Sequence, residues 1–326
     1  MFLFFSRQLN THESSDMDIL EATCKVSIET ELAKNPELDR SMIDSLQDWA
    51  KKQPHLPPIL DTQMAIFLVV CKFSIEKAKK LIDIHFTMKT HFKELFNSRD
   101  PLSQPIQDAM DCVYVTALKG FDHSGRRVNY SALKPGAFTD TSRYHGPTTT
   151  KLIYMFEDLS NFTMGSHVPG VTLVMDATGF GMSHLSTLSL SFLKQTSLYF
   201  TQGASVIVNQ IIVVNANPVA ERLIALLRPI LPTEIFKRIH ILPRDKADKI
   251  FDYIPRDVVP SDLGGGGQSV AELTKETYQL ILDSREFYLT EERLQRVNAA
   301  LRPAGNSPGN KIESDLSGSF KKLGLD

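Results

Sequence analysis

Two short runs constrain this chain more than anything else in it: Val171-Thr-Leu-Val-Met-Asp176 and Val206-Ile-Val-Asn-Gln-Ile-Ile-Val-Val-Asn215. Both are rich in β-branched residues and almost free of charge, the composition of strands covered on both faces. Such strands belong to parallel sheets with helices above and below, so the pair predicts an α/β layer architecture. The chain has 326 residues, 42% of them apolar. That is enough to bury a core and still line an internal cavity.

The flanking text extends the pattern. Cys112 to Leu118 and Arg127 to Tyr130 read as strands joined by the turn-rich Gly120 to Gly125. Helices are predicted over Lys151 to Met164, Leu185 to Thr201, Pro218 to Leu227 and Thr233 to Arg238, with a last strand at Ile239 to Leu242. The β-β-α-β-α-β order makes a mainly parallel sheet with right-handed crossovers the economical topology. Gly264 to Gly267 reads as a flexible loop and Val270 to Leu294 as helical. Upstream the spacing is helical: Asp16, Asp39 and Asp61 stand at N-cap positions, and Leu38, Met42, Leu46 and Trp49 share a stripe. The expected organisation is a small all-helical domain over 14–101, an α/β domain over 102–268, C-terminal helices packing on it over 269–302, and a disordered tail over 303–326.

Charge excludes some function classes. With 36 basic and 38 acidic residues the formal charge is −2, so the global balance provides no pull toward nucleic acid. Cys24, Cys71 and Cys112 are odd in number and far apart, which predicts reduced thiols and a cytosolic setting. The most apolar segments, Met64 to Cys71 and Ala204 to Val214, are about half of the roughly 20 residues a membrane span needs. Met1 to Phe5 is too short for a signal-peptide core. No transmembrane helix, metal or cofactor is expected.

Catalytic signatures fail one by one. Gly120 to Arg126 has the glycine spacing of a phosphate loop but continues Arg126-Arg127, so it reads as a hairpin turn. Gly179-Phe180-Gly181 follows a strand, yet His184 occupies the third glycine position of a dinucleotide fingerprint. Ser183 reads as a helix cap beside it, and Asp176, at a strand end, as a structural hydrogen-bonding group. What remains is a surplus of apolar side chains on Pro218 to Leu231, which must be buried on two faces or must cover something apolar that is not protein.

Gly170 to Gly179, Ile211 to Pro218, Arg228-Pro229-Ile-Leu231, Lys237-Arg238-Ile239-His240 and Val259 to Gly265 together resemble the lipid-binding domain of the CRAL-TRIO family. Cys71 to Ser74 with Lys77, Lys80 and Leu81, then Asn97 to Pro101, resemble its helical N-terminal domain, with the nearest likeness to members similar to alpha-tocopherol transfer protein. The resemblance runs in order from Met42 to Arg293. It implies a sheet floor and a mobile helical lid enclosing one lipophilic molecule, a tocopherol, retinoid or phospholipid, carried between membranes by a monomer without chemistry or cofactor.

By matching position the ligand would meet Val171, Leu173, Met175, Tyr199, Phe200, Ile211 and Val213, with Val219, Leu223 and Leu227 on the lid. Arg228, Lys237 and Arg238 would face a phosphoinositide at the membrane surface. Ile207, Asn209 and Glu234 stand where close relatives carry further basic residues. Burying roughly 500 Å² of lipid at about 25 cal/mol/Å² supplies on the order of 12 kcal/mol before association costs. Two other readings stand beside the carrier: a lipid-sensing adaptor that binds a protein partner, and an α/β enzyme using Asp176 and His184.

Overall fold

The computed structural model describes residues 16–305 and 308–312. Its first part is helical: α1 (residues 16–23), α2 (Ile28–Lys34), α3 (Arg40–Ala50), α4 (Asp61–Val70), α5 (Ile75–His91), α6 (Lys93–Phe96) and α7 (Gln104–Cys112). The stripe on α3 packs Leu46 and Ile43 against Met64, Phe67, Leu68, Ile82 and Phe86, with Met42 and Trp49 at its margin. Helix α4 is apolar around its whole circumference, and Met64 to Val69 are all buried, which is what an all-round apolar helix requires. It is a core helix, and no helix among the described residues is long and apolar enough to cross a membrane.

Only one of the three expected aspartate caps holds. Asp39 caps α3, accepting from the Ser41 amide at 2.7 Å. Asp61 lies inside α4, which is capped by the Gln63 side chain reaching back to the Leu60 amide; Asp61 instead pairs with Arg40 and accepts from Gln47. Asp16 is likewise helical and binds Arg293, far along the chain. Both carboxylates were diverted by distant cations that local spacing does not reveal.

A five-stranded sheet follows, in the order β1 (Val113–Phe121), β2 (Arg127–Leu133), β3 (Val171–Asp176), β4 (Val208–Ala216) and β5 (Ile239–Pro243). The β1–β2 hairpin is antiparallel and every later pairing is parallel. The hairpin turn is held by Asp122, which accepts from the amides of Ser124 and Arg126 and from the Thr172 hydroxyl. That carboxylate stands where a phosphate loop would need room for an anion. Helix α8 (Gly146–Met164) connects β2 to β3.

The stretch expected as one helix over Leu185 to Thr201 is three pieces: α9 (Met182–Leu185), α10 (Leu190–Leu198) and a π-helical turn, Tyr199–Gly203. Ser189 provides the break, since its hydroxyl caps α10 through the Phe192 amide. After β4 come α11 (Pro218–Leu227) and α12 (Thr233–Phe236). The expected helix over Val270 to Leu294 is divided at Ser284 into α13 (Val270–Asp283) and α14 (Arg285–Leu294).

The glycine loop is not loose. Gly265, Gly266 and Gly267 donate to the carbonyls of Pro260, Arg256 and Val259, and a Cβ on Gly265 would stand 1.9 Å from the Val259 carbonyl oxygen. The glycines permit that approach, so their composition reflects a tight turn. Of the region expected as a tail, the Gly309 amide donates to Asp83 and Ile312 is buried; residues 306–307 and 313–326 lie outside the described residues.

The helical part, α8 and α14 are joined by one buried ionic cluster. Arg99, fully buried, donates to Asp158 on α8 at 2.7 Å and to Glu291 on α14 at 2.8 Å. Lys89 on α5 bridges the same two carboxylates at 2.8 and 2.9 Å, and Arg296 adds a third contact to Glu291. Burial alone would raise both carboxyls, but the facing cations outweigh it and hold both below the usual range. Their contribution to stability is therefore present above pH about 4.5 and is lost as pH falls below it. Replacing Glu291 with Gln strands buried positive charge, and we expect a loss of about 3–5 kcal/mol in urea unfolding at pH 7. Lys119→Ala, which removes an exposed pair with Glu276, should stay within about 0.5 kcal/mol.

Candidate functional site

The two faces of the sheet are covered differently. On one, Val128, Tyr130, Val174, Ile212 and Val214 pack against Ile250, Ile254, Val259 and Leu273. On the other, register places Leu173 beside Ile211 and Met175 beside Val213, and Leu173, Ile211 and Val213 meet α11 and the π turn. Strand β3 is central in the sheet, yet Met175 is 43% exposed and Leu173 is only half-buried, while Val174 between them is 1% exposed. Ile241 on β5 is also exposed on the Met175 side. The result is an open apolar floor in the middle of the molecule.

Helix α11 lies over the edge of that floor. Ala220 and Ile224 pack with Ile211, Val213, Val208 and Ala216, flanked by Leu173, Phe200 and Phe236. Val219, Leu223 and Leu227 are half-buried, and Leu226 is exposed. The contact stripe thus runs through Ala220 and Ile224, with Leu223 and Leu227 beside it at helical spacing. The apolar surplus seen in the sequence is a face only partly occupied by protein.

Of the other expected wall residues, Phe200 reaches this cluster and Val171 is fully buried in the sheet. Tyr199 sits elsewhere, in an aromatic group with its ring 4.6 Å from Phe96, 5.1 Å from Tyr154 and 5.9 Å from His85. That group joins α5 to the π turn, because His85 Nδ1 donates to the Gly203 carbonyl at 2.7 Å. Burial pushes the His85 pKa down to about 4, with the Lys89 charge adding to the effect.

The carboxyl ends of β3 and β4 are locked by hydrogen bonds. Asp176 accepts from the Tyr130 hydroxyl, the Thr178 amide and hydroxyl, and Asn215 Nδ2. Asn215 adopts φ 53°, a left-handed conformation that Asn tolerates. Asn217 caps α11 through the amides of Val219 and Ala220 while donating to the carbonyls of Ala177 and Phe180. His184 is fully buried, accepting from the Gly181 amide through Nδ1 and donating to the Ala137 carbonyl through Nε2. It is His184, not the exposed Ser183, that caps α9. These residues hold the backbone around the groove.

The expected basic residues each have a partner. Arg238 donates to the Val208 carbonyl at 2.6 Å, Lys237 pairs with Glu234 on the surface, and the Arg228 guanidinium lies 5.2 Å from the Phe236 ring centre. Strand β2 adds residues that sequence reasoning passed over: Arg127 and Asn129 face the same side as Val171 and Leu173, their register partners. The alternation Arg127-Val-Asn129-Tyr-Ser131 was the available signal, polar at every second position of a covered strand.

With this geometry in view, residues 113–265 match the family model described as CRAL/TRIO domain. The chain carries a CRAL/TRIO domain. Residues 35–106 match the description "Pinta-like, UBA domain", so a UBA-like helical domain precedes the α/β CRAL/TRIO domain. A solved structure entitled "Crystal structure of Sfh5" is similar at 13% identity and a TM-score of 0.41, over 86% of this chain and 96% of that one. In general terms, CRAL/TRIO domains bind lipophilic small molecules.

The neutral, buried His85 gives a pH prediction. Its pKa drops on folding from 6.5 to about 4, so its contribution is present above pH 6.5 and is lost as pH falls through that interval. We expect unfolding free energy to fall by up to about 3 kcal/mol between pH 7 and pH 4 from this group. In His85→Gln that part of the pH dependence should vanish from the urea midpoints.

Proposed function

We propose that this protein binds one lipophilic molecule between the floor Leu173, Met175, Ile211 and Val213 and helix α11, and transfers it between membranes as α11 opens and closes. The observation that carries the reading is the exposure of Met175 on the central strand of a sheet whose opposite face is fully packed. A lipid chain lying there would remove that surface from water at about 25 cal/mol/Å². Val219, Leu223 and Leu227 would then cover the ligand, and on opening would present an apolar stripe to the membrane interface. Exchange of the ligand requires such a cover to move.

The reading involves no catalytic step. Its support is that Asp176 and His184, the two groups a reaction would recruit, spend their polar atoms on backbone and neighbouring side chains. Membrane contact would be peripheral and aided by positive charge. Arg228 and Lys237 are the residues for an anionic headgroup, because their present contacts are exposed or face an aromatic ring and cost little to exchange. Arg238 would have to give up a buried-side contact with Val208.

Transfer of a fluorescent lipid between donor and acceptor vesicles tests the proposal. The double variant Leu223→Asp with Leu227→Asp should slow transfer at least tenfold while leaving the unfolding midpoint nearly unchanged, since both positions are half-exposed. Unchanged transfer would reject α11 as the cover. A ligand that binds but never exchanges with acceptor vesicles would favour a lipid-sensing adaptor.

A further inference from the structure

Arg127 and Asn129 on β2 are 6% and 5% exposed, and both point toward the face that β3 keeps apolar. Across from them on α8 is Glu157, which accepts from Asn129 Nδ2 and stands with one oxygen 3.6 Å from Arg127 Nη2, too far for a hydrogen bond. Arg127 Nη1 donates, among the described residues, only to the thioether sulfur of Met164, a weak acceptor. Among the described residues, Arg127 Nε and Nη2, Asn129 Oδ1, Glu157 Oε2 and His167 Nε2 have no hydrogen-bond partner. One small region therefore holds several buried donors and acceptors without a hydrogen bond, Arg127 and Glu157 facing each other only as a long ion pair, and each such group calls for an explanation.

The charges say what would fit. An anion would satisfy Arg127 but confront Glu157, and a cation would do the reverse. A neutral group that both donates and accepts satisfies the two sides together, and the smallest such group is a hydroxyl. It would accept from Arg127 and donate to Glu157 Oε2 or Asn129 Oδ1. Burial lowers the Arg127 pKa and raises that of Glu157, so each charge is under-compensated by the other. The apolar remainder of the ligand has a continuous track, because Arg127 neighbours Val171, Asn129 neighbours Leu173, and Leu173 neighbours Ile211.

We propose that Arg127, Asn129 and Glu157 form a recognition site for the hydroxyl head of a lipophilic alcohol whose hydrocarbon lies along β3 and β4. The inference rests on the apolar groove being the binding site, and adds the ligand's polar end to it.

The test is competition against N-phenyl-1-naphthylamine, an uncharged fluorophore that brightens in apolar pockets, using the full chain. The competitors are 1-hexadecanol, hexadecyl methyl ether and palmitate. The alcohol should displace the fluorophore at a concentration at least tenfold lower than the ether, which cannot donate. Asn129→Leu and Arg127→Met should each abolish that preference while the ether competes as before. Equal competition by alcohol and ether on the unaltered protein would mean that water satisfies the cluster, and would overturn the proposal while leaving the groove intact. A preference for palmitate would overturn it in favour of an anion site on Arg127. Failure of the fluorophore and all three competitors to bind would reject the groove itself, and the hydroxyl site with it.

Discussion

The cluster of Lys89, Arg99, Asp158 and Glu291 is the constraint on which the rest of the molecule depends. It ties α5 and the segment after α6 to the crossover helix α8 and to α14, elements from both ends of the chain and from its middle. Two cations and two carboxylates, nearly all fully buried, are costly to desolvate and stable only together. The cluster therefore fixes one relative placement of helices and sheet with little tolerance for intermediate arrangements. Helix α8 is the shared element: Asp158 faces this cluster, and the adjacent Glu157 turns toward β2 and the groove.

The parallel sheet was legible because its strands announce themselves locally. β3 was expected over Val171 to Asp176 and lies there; α11 begins at Pro218 because a proline at the first turn loses no hydrogen bond. The open floor was partly legible too, since alternation alone puts Leu173 with Met175 and Ile211 with Val213. What escaped was whatever depends on partners distant in sequence. Asp61 and Asp16 read as caps until Arg40 and Arg293 claim them. Tyr199 stood next to Phe200 in the expected wall, but the π turn sends the two rings to different clusters.

The same reason explains why the polar residues of β2 went unread. Arg127 reads in the sequence as the first residue of a strand after a hairpin turn, and only the pairing with β3 shows that it is buried. A strand facing solvent and a strand facing a ligand carry the same alternating pattern. The sheet order, which places β2 next to β3 under α8, is what separates them.

Asn217 has a mechanical consequence. One side chain fastens the first turn of α11 through two amides and anchors to the loop after β3 through two carbonyls, four hydrogen bonds at a single residue. The far end of α11 is held by softer contacts, Arg228 over Phe236 and a few leucines half in water. A rod pinned at one end and loosely seated at the other swings; it does not lift. If α11 opens as proposed, the groove would widen at the Leu227 end first and its Asn217 end would stay nearly fixed, so the aperture would be a wedge whose direction is set by one asparagine.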